Sequence, residues 1–153
     1  MIFNKEEIIK HFGLEPLEFE GGYYKQTYIK SEGENIVSTC IYYLLTDDTK
    51  SILHRLKNDE IYHFYLGDPV QLTILGQNSK NIILGNNIFD GEQLQFVVRA
   101  REWQGSCLIK GGKWALLGTT MAPGFKLEDF ELGIKEKLMI EYPKFSNEIK
   151  NLS

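Results

Sequence analysis

The sequence has few of the features of a secreted, membrane-bound or disulfide-stapled protein. Its 153 residues include only two cysteines, which excludes a small scaffold held together by disulfides. No stretch approaches the ~20 consecutive apolar residues that a membrane-spanning helix needs. Acidic residues, Glu6 and Glu7, occupy the place where a signal peptide would have its apolar segment. We therefore expect a cytoplasmic protein with no membrane partner.

The chain also lacks an excess of positive charge. It has 17 Lys and Arg residues against 21 Asp and Glu residues, a net charge of −4 and a pI of about 5.4. Its basic residues never stand next to one another, and the only arginines are Arg55, Arg99 and Arg101. A nucleic-acid-binding surface needs a basic field, so we expect no nucleic-acid partner. A basic cluster for a nucleotide diphosphate is missing as well.

The two cysteines, Cys40 and Cys107, lie inside apolar segments. Buried free thiols in a reducing compartment are the favoured interpretation. A disulfide or a reactive thiol remains the alternative.

The composition fits a single globular domain over residues 1–153. Apolar residues make up 42% and charged residues 25% of the chain, which is typical of folded domains of this length. We find no internal repeat, no low-complexity segment and no linker.

Two short helices are expected at the ends of the chain. Asn4 and Glu7 form a capping-box pattern at the start of the first helix, and Gly13 supplies its left-handed stop. A charged segment with apolar Leu138 and Met139, Lys135 to Tyr142, predicts the C-terminal helix.

Between these helices the sequence predicts strands only. Runs rich in aromatic and β-branched residues alternate with turn signals, as in an all-β sandwich or barrel. The second run is apolar at both odd and even positions and should be buried on both faces. The sequence does not assign a secondary structure to the segment from Phe125 to Leu132. The predicted strands are Tyr23–Ile29, Ile36–Thr46, Ser51–Leu56, Glu60–Leu66, Val70–Leu75, Asn81–Leu84, Leu94–Val98, Trp103–Ile109 and Lys113–Thr120.

One predicted hairpin carries the chemistry. His54 ends its first strand and Glu60 opens the second. Because side chains alternate between faces, Glu60, Tyr62 and Phe64 share one face, and His63 points to the other unless a bulge turns it. If that face points into a barrel, His54 and Glu60 meet in an apolar interior, where their pKa values can shift.

This hairpin resembles the first motif of the cupin superfamily, in which two histidines one residue apart precede a glutamate and then a glycine. His54, Glu60 and Gly67 match that motif, and Leu56 stands at the place of the second histidine. The stretch from Val98 to Leu108 resembles the second motif, with Gln104 where the family has a histidine.

Further blocks resemble one branch of that superfamily, a small cupin-like family of unknown function. They are the segments 20–28, 38–45, 103–104, 122–125 and 129–131. The resemblance implies an all-β double-stranded β-helix, or cupin jelly roll, usually dimeric. Its relatives by fold include sugar-nucleotide epimerases, isomerases, dioxygenases and seed storage proteins, so the fold alone fixes no function.

The resemblance also implies a place for a metal, but the ligands are incomplete. A metal-binding cupin uses three histidines and one glutamate, whereas the matching positions here hold His54, Leu56, Glu60 and Gln104. Leucine cannot bind a metal, and glutamine is a weak donor. We expect no cofactor; a divalent metal would need His54, Glu60 and an inward-turned His63.

Without a metal, His54 is the expected acid/base group and Glu60 its partner. Such a chain would be a metal-independent sugar epimerase or isomerase, acting on a small polar molecule. The alternatives are a non-catalytic binding or sensing module, a metal-dependent oxygenase or lyase, a storage role, and a plain core pair of His54 with Glu60. The expected ligand-binding residues are Tyr62, Phe64, Gln104, Tyr24 and Tyr28.

Overall fold

The computed structural model describes residues 3–153. Met1 and Ile2, which begin the stretch weighed above against a signal peptide, lie outside the described residues. In the described part of the chain, no helix is both long enough and apolar enough to cross a membrane.

The first helix, α1, spans Lys5–Phe12 and has the predicted caps. The Asn4 side chain accepts a hydrogen bond from the Glu7 backbone N–H, and the Glu7 carboxylate accepts one from the Asn4 N–H. Gly13 ends the helix at φ 61°, in the left-handed region that glycine tolerates. Ile8 is buried and anchors α1 on the outer face of a sheet.

Eleven strands follow α1 in the part of the chain that the structure describes. Their bounds differ from the predicted ones by at most three residues, and β1 and β11 are additional two-residue strands. The strands are β1 (Glu15–Pro16), β2 (Tyr23–Glu32), β3 (Asn35–Thr46), β4 (Ser51–Arg55), β5 (Glu60–Gly67), β6 (Val70–Leu75), β7 (Lys80–Leu84), β8 (Gln95–Val98), β9 (Trp103–Leu108), β10 (Trp114–Met121) and β11 (Glu131–Leu132).

These strands form two antiparallel sheets. The larger sheet has the order β1-β2-β3-β10-β5-β8, and the smaller has the order β11-β4-β9-β6-β7. From β3 onward, consecutive strands lie in different sheets except β6 and β7, so the chain crosses repeatedly between the layers. This arrangement confirms the predicted all-β jelly roll.

The main core fills the space between the sheets, and we call it the barrel core. Tyr43 and Leu45 of β3 reach into it, whereas Leu44 packs on the other face against Ile8 of α1. The second half of β3 is therefore buried on both faces, as its apolar pattern predicts. The buried members of the barrel core are Leu17, Tyr43, Leu45, Tyr62, Phe64, Val70, Leu72, Ile74, Ile82, Leu84, Val98, Ala115 and Leu117.

The C-terminus forms two helices where the sequence predicts one. Helix α2 spans Lys135–Glu141 and helix α3 spans Ser146–Asn151, with the 3-10 turn Pro143–Phe145 between them. They cover the outer face of the smaller sheet, where a second core joins Leu53, Leu75 and Trp103 to Leu138, Ile149 and Leu152.

The segment that the sequence left open, Phe125 to Leu132, holds the 3-10 helix Leu127–Asp129 and strand β11. Strand β11 pairs with β4 at Arg55 and His54. We call residues 122–133 the strap, because this stretch crosses from β10 in the larger sheet to β4 in the smaller one.

Candidate functional site

A cavity of about 340 Å³ lies at one end of the barrel. Its wall combines strands of the larger sheet with the loop before β2, the residue after β4 and the strap. Two carboxylates, an amide and two threonine hydroxyls supply most of its polar groups. The lining residues are Leu17, Phe19, Glu20, Tyr24, Gln26, Thr39, Ile41, Leu56, Glu60, Thr119, Met121, Phe125 and Leu127.

The structure brings only part of the predicted site to this wall. Glu60 and Tyr24 line the cavity. The other buried members of the predicted set lie elsewhere in the barrel and are at most 7% exposed: His54, Tyr62, Phe64 and Gln104. These four side chains therefore do not line the cavity, and direct contact of any of them with a ligand stays a prediction. Phe64 belongs to the barrel core and contributes packing.

Gln104 and Tyr62 hold the Glu60 carboxyl in place. The Tyr62 hydroxyl donates to Gln104 Oε1 over 2.7 Å, and Gln104 Nε2 donates to Glu60 Oε2 over 2.9 Å. Because the phenol donates to the amide oxygen, the amide nitrogen must face the carboxyl. This chain of hydrogen bonds fixes the orientation of Glu60 from behind the cavity wall.

The environment of Glu60 favours its protonated form. Burial raises the pKa of this carboxyl above its usual 4.5, and the nearby Glu20 carboxylate raises the pKa further. His54 and the hydrogen bonds from Thr119 and Gln104 oppose that rise. A carboxyl of this kind can give up or accept a proton at a higher pH than an exposed one.

His54 has a partner other than the predicted Glu60. Its Nδ1 lies 2.7 Å from the carbonyl oxygen of Ile52. A carbonyl only accepts, so Nδ1 carries the proton and donates. The other ring nitrogen, Nε2, lies 3.8 Å from Glu20 Oε1. The ring also stacks on Phe130 of the strap, with centroids 5.0 Å apart. His54 thus lies beside Glu20 behind the wall, at a distance too long for a hydrogen bond.

The sequence analysis missed Glu20 as a site residue. It precedes Gly21 and Gly22, whose φ values of 105° and 75° fold the chain back toward β3, and the Tyr43 hydroxyl donates to the Gly21 carbonyl. The Ser51 hydroxyl donates to Glu20 Oε1 over 2.7 Å. The only signal in the sequence was an acidic residue beside a double-glycine turn.

Tyr28 lies outside the cavity because β2 contains a bulge. Gln26 pairs with Ile41 and Tyr28 pairs with the next residue of β3, Cys40, so the intervening Thr27 has no partner in the register. The bulge reverses the alternation of faces, so Tyr24 and Gln26 face the cavity while Tyr28, paired with Cys40, is 52% exposed. Of the two tyrosines expected to bind a ligand, only Tyr24 therefore lines the cavity.

His63 points away from the barrel interior, as its position in the strand predicts. Its Nε2 lies 3.0 Å from the Thr120 hydroxyl, and Gln95 Nε2 lies 3.3 Å from its Nδ1. Burial lowers the pKa of this imidazole. His63 cannot join His54 and Glu60 around one ion in this arrangement.

Trp103 and Arg55 secure the strap on the outside of the smaller sheet. Arg55 donates to both carboxylate oxygens of Glu131, over 2.7 and 2.9 Å. Its guanidinium also lies 4.4 Å from the centre of the Trp103 ring. Trp103 therefore packs with Arg55 and the C-terminal helices.

Both cysteines are free and half-buried, and burial raises the pKa of the Cys107 thiol.

The donor set does not fit the metal of a metal-binding cupin. Among residues 3–153, no group of three or more His, Cys, Asp and Glu side chains is placed to hold a metal ion. Leu56 lines the cavity at the place of one family ligand, and the Gln104 amide is already bonded to Tyr62 and Glu60.

Comparisons with known proteins support the fold and the family. A protein from Shewanella oneidensis is 30% identical over 99% of this chain and 98% of its own, with a TM-score of 0.91. A hypothetical protein from Leishmania major is 29% identical over 99% of both chains, with a TM-score of 0.88. Oxalate decarboxylase from Bacillus subtilis is similar in fold alone: 16% identity over 88% of this chain and 35% of that chain, TM-score 0.55.

No curated protein matches the chain. The model of the Cupin_5 family, described as cupin superfamily (DUF985), matches residues 6–133. That match covers most of the chain and includes both cavity carboxylates, the hairpin and the strap. The chain therefore belongs to the Cupin_5 family of the cupin superfamily.

Proposed function

We propose that the protein is a metal-independent isomerase or epimerase that moves a proton on a small polar molecule in the barrel cavity. One observation carries the proposal: the buried carboxyl of Glu60 lines the cavity together with a second carboxyl, Glu20. Two carboxyls in different environments are a common source of an acid and a base at one site.

The proposed reaction needs no redox partner. Glu20, as a carboxylate, takes the proton from a carbon next to a carbonyl group, and the electron pair of that C–H bond moves to the carbonyl oxygen. Glu60, as a carboxylic acid, returns a proton to the opposite face of that carbon, and the carbonyl re-forms to give the epimer. If the proton goes instead to the former carbonyl carbon, the hydroxyl proton on the first carbon passes to the former carbonyl oxygen and the isomer results. The product is an epimer or an isomer, and solvent restores both carboxyls.

In this proposal His54 is a positioning residue. Its Nε2 faces Glu20 Oε1, and it does not line the cavity. This positioning role replaces the acid/base role that the sequence suggested for His54. The Ser51 hydroxyl holds the Glu20 carboxylate by a hydrogen bond, with His54 beside it, as Gln104 and Tyr62 hold Glu60.

Solvent-deuterium incorporation tests the proposal. The protein is incubated in D₂O with aldoses and ketoses, and the sugars are analysed by mass spectrometry. Each proton returned from a carboxyl exchanged with D₂O leaves one deuterium on carbon. We expect incorporation with the wild type, and a fall of about 10²–10⁴-fold in Glu60→Gln and Glu20→Gln. Glu34→Gln, in an exposed turn, is the matched control. Equal incorporation in all four proteins would contradict the proposal.

A second candidate function is binding or sensing without chemistry. Most of the residues that line the cavity are apolar, as in many pure binding pockets. Saturable binding of a sugar with no deuterium incorporation would favour this alternative.

We also propose a homodimer, which the family resemblance supports. Light scattering should then give twice the chain mass of 17.7 kDa, and a mass of one chain would contradict it. A cytoplasmic location stays a prediction.

A further inference from the structure

We propose that the cavity takes an uncharged polyhydroxy compound of monosaccharide size, and that it rejects sugars carrying a phosphate or a carboxylate. The inference rests on the proposed use of this cavity as a small-molecule site. It goes further by naming the chemical class of the ligand.

The charge of the wall argues against an anionic ligand. Glu20 and Glu60 supply the two carboxyl groups that line the cavity, and within residues 3–153 no Lys or Arg lines it. A phosphate placed there would meet like charge in surroundings of low polarity, where repulsion is strongest. Recognition of phosphate and carboxylate normally uses arginine, lysine or helix N-termini.

Two basic side chains on the bordering segments, Arg55 and Lys126, have acidic partners, and Lys25 and Lys57, which adjoin lining residues as well, do not line the cavity. Arg55 precedes the lining residue Leu56, but its guanidinium is bonded to Glu131 outside the barrel. Lys126 lies between two lining residues of the strap, and its Nζ is 4.0 Å from Glu128 Oε1. Neither is free to neutralise an anion in the cavity without breaking a contact.

The cavity also lacks the strong negative charge that would select a cation. His54 faces Glu20 at 3.8 Å, and burial favours the uncharged form of Glu60. An ammonium group would therefore gain less binding free energy in this cavity than it would beside two ionised carboxylates.

Ligand hydroxyls fit the polar groups that remain. Carboxylate oxygens accept hydrogen bonds, while threonine hydroxyls and a glutamine amide both donate and accept. Thr39 already accepts a hydrogen bond from the Phe125 backbone N–H, which leaves its own hydroxyl proton for a ligand. A polyol presents donors and acceptors in alternation and so satisfies Glu20, Thr119 and Gln26.

One further buried group supports a polar interior. Ser106 Oγ is the one buried side-chain oxygen or nitrogen without a hydrogen-bond partner among residues 3–153. Ser106 has the same parity as Gln104 on β9, and Gly105 between them faces Leu53 and Leu152 on the outer side. Ser106 therefore faces the barrel interior, so the core behind the cavity is not purely apolar, although Ser106 itself does not line the cavity.

Size and aromatic content complete the match. The volume of about 340 Å³ is close to the lower end of the ~300–1,000 Å³ that is typical of small-molecule sites. A compact ligand fits better than one that carries a nucleotide. Phe19, Phe125 and Tyr24 supply aromatic surface for the apolar C–H faces of a sugar ring.

Matched sugar pairs test the inference by binding alone. Saturation-transfer NMR and calorimetry are run with neutral aldoses and ketoses, their 6-phosphates, the corresponding uronates and an amino sugar. We expect saturable binding of at least one neutral sugar, and affinity lower by about tenfold or more for its phosphate and its uronate. Equal or tighter binding of the anionic member, preference for the amino sugar, or no neutral sugar bound would overturn the inference.

A lysine placed in the cavity provides the complementary test. Gln26 lines the cavity near its opening, with an exposed side chain. In Gln26→Lys the ratio of phosphate to neutral-sugar affinity should rise by about tenfold. Ser31→Lys, an exposed position on the same strand, should leave the ratio unchanged. An unchanged ratio in a folded Gln26→Lys protein would show that charge in the cavity does not decide selectivity.

The outcomes separate this inference from the proposed function. Neutral sugars that bind but take up no deuterium would preserve the ligand class and refute the enzyme. Deuterium uptake confined to phosphorylated sugars would preserve the enzyme and refute the ligand class.

Discussion

Glu20 Oε1 lies 3.8 Å from His54 Nε2, although Glu20 belongs to the loop before β2 and His54 belongs to strand β4 of the other sheet. The double-glycine turn after Glu20 and the hydrogen bond from Nδ1 of His54 to Ile52 bring the two groups together. The pair places a carboxylate at the cavity wall with a buried imidazole behind it. In the proposed reaction Glu20 and Glu60 transfer the protons, and His54 takes no part in the transfer.

A double-mutant cycle should show that these two side chains are coupled. Asparagine at position 54 can keep the hydrogen bond to Ile52, but it removes the nitrogen that faces Glu20. We expect His54→Asn to cost about 1–3 kcal/mol of unfolding free energy, and its coupling to Glu20→Gln to be about 0.5–3 kcal/mol. Denaturant unfolding measures both. The cycle with Glu34→Gln should be additive within about 0.5 kcal/mol; equal coupling in the two cycles would contradict a direct Glu20–His54 interaction.

The Glu60 carboxyl should make stability fall as pH rises. Its pKa is raised in the folded protein, so the folded state binds more protons than the unfolded state above the ordinary value of 4.5. The contribution of this group is complete below that pH and is lost as pH rises through the folded pKa. Glu20, His54, Thr119 and Gln104 face this group.

Glu60→Gln keeps an acceptor for Gln104 and removes the titration. Unfolding free energies are measured from pH 4 upward, at intervals of about one pH unit. They should decline less steeply with pH in Glu60→Gln than in the wild type. Glu34→Gln should follow the wild type. A wild-type curve no steeper than that of Glu60→Gln would contradict the raised pKa.

The ion pair between Arg55 and Glu131 should hold the strap down. Both side chains are partly exposed, so we expect Glu131→Gln to cost at most about 1 kcal/mol of global stability. Local opening should respond more strongly, because this ion pair joins Glu131 of the strap to Arg55 at the site where β11 pairs with β4. Hydrogen–deuterium exchange should rise in residues 122–133 of this variant. Glu32→Gln, which removes a 3.5 Å contact with Lys30, should leave the strap unchanged; the same exchange in all three proteins would refute the anchoring role.

Restoring the two missing family ligands should create a metal site. Leu56 and Gln104 stand at the places of two histidines, next to His54 and Glu60 in the motifs. The double variant Leu56→His/Gln104→His should retain about one divalent metal ion per chain when purified without chelator, because three imidazoles and a carboxylate suit such ions. Elemental mass spectrometry of the untagged protein measures this content. Equal metal content in the wild type would contradict our account of its donor set.

The local sequence was sufficient to predict most of the fold. Alternation of apolar residues predicted β5, and apolar residues at both odd and even positions predicted that β3 is buried on both faces. Capping residues predicted α1. These features depend on neighbours in the chain, so the sequence carries them directly.

The site was harder to predict because long-range contacts build it. Motif spacing placed His54 and Glu60 inside the barrel, but the hydrogen-bond partners of each came from elsewhere in the chain. Glu20 lies in a loop with no periodic pattern, and the bulge that turns Tyr28 outward leaves no trace in the alternation of residues. Phe130 reaches His54 only because the strap pairs with β4.

The titration of Glu60 tests the central claim most directly, because the proposed chemistry needs this carboxyl to keep its proton beyond the ordinary range. Carbon-13 NMR of side-chain carboxyls, assigned by the signal missing in Glu60→Gln, gives its pKa. We predict a midpoint above 4.5 in the wild type and a lower one in Glu20→Gln, where the neighbouring negative charge is gone. A midpoint at or below 4.5, or one that Glu20→Gln leaves unchanged, would contradict the account.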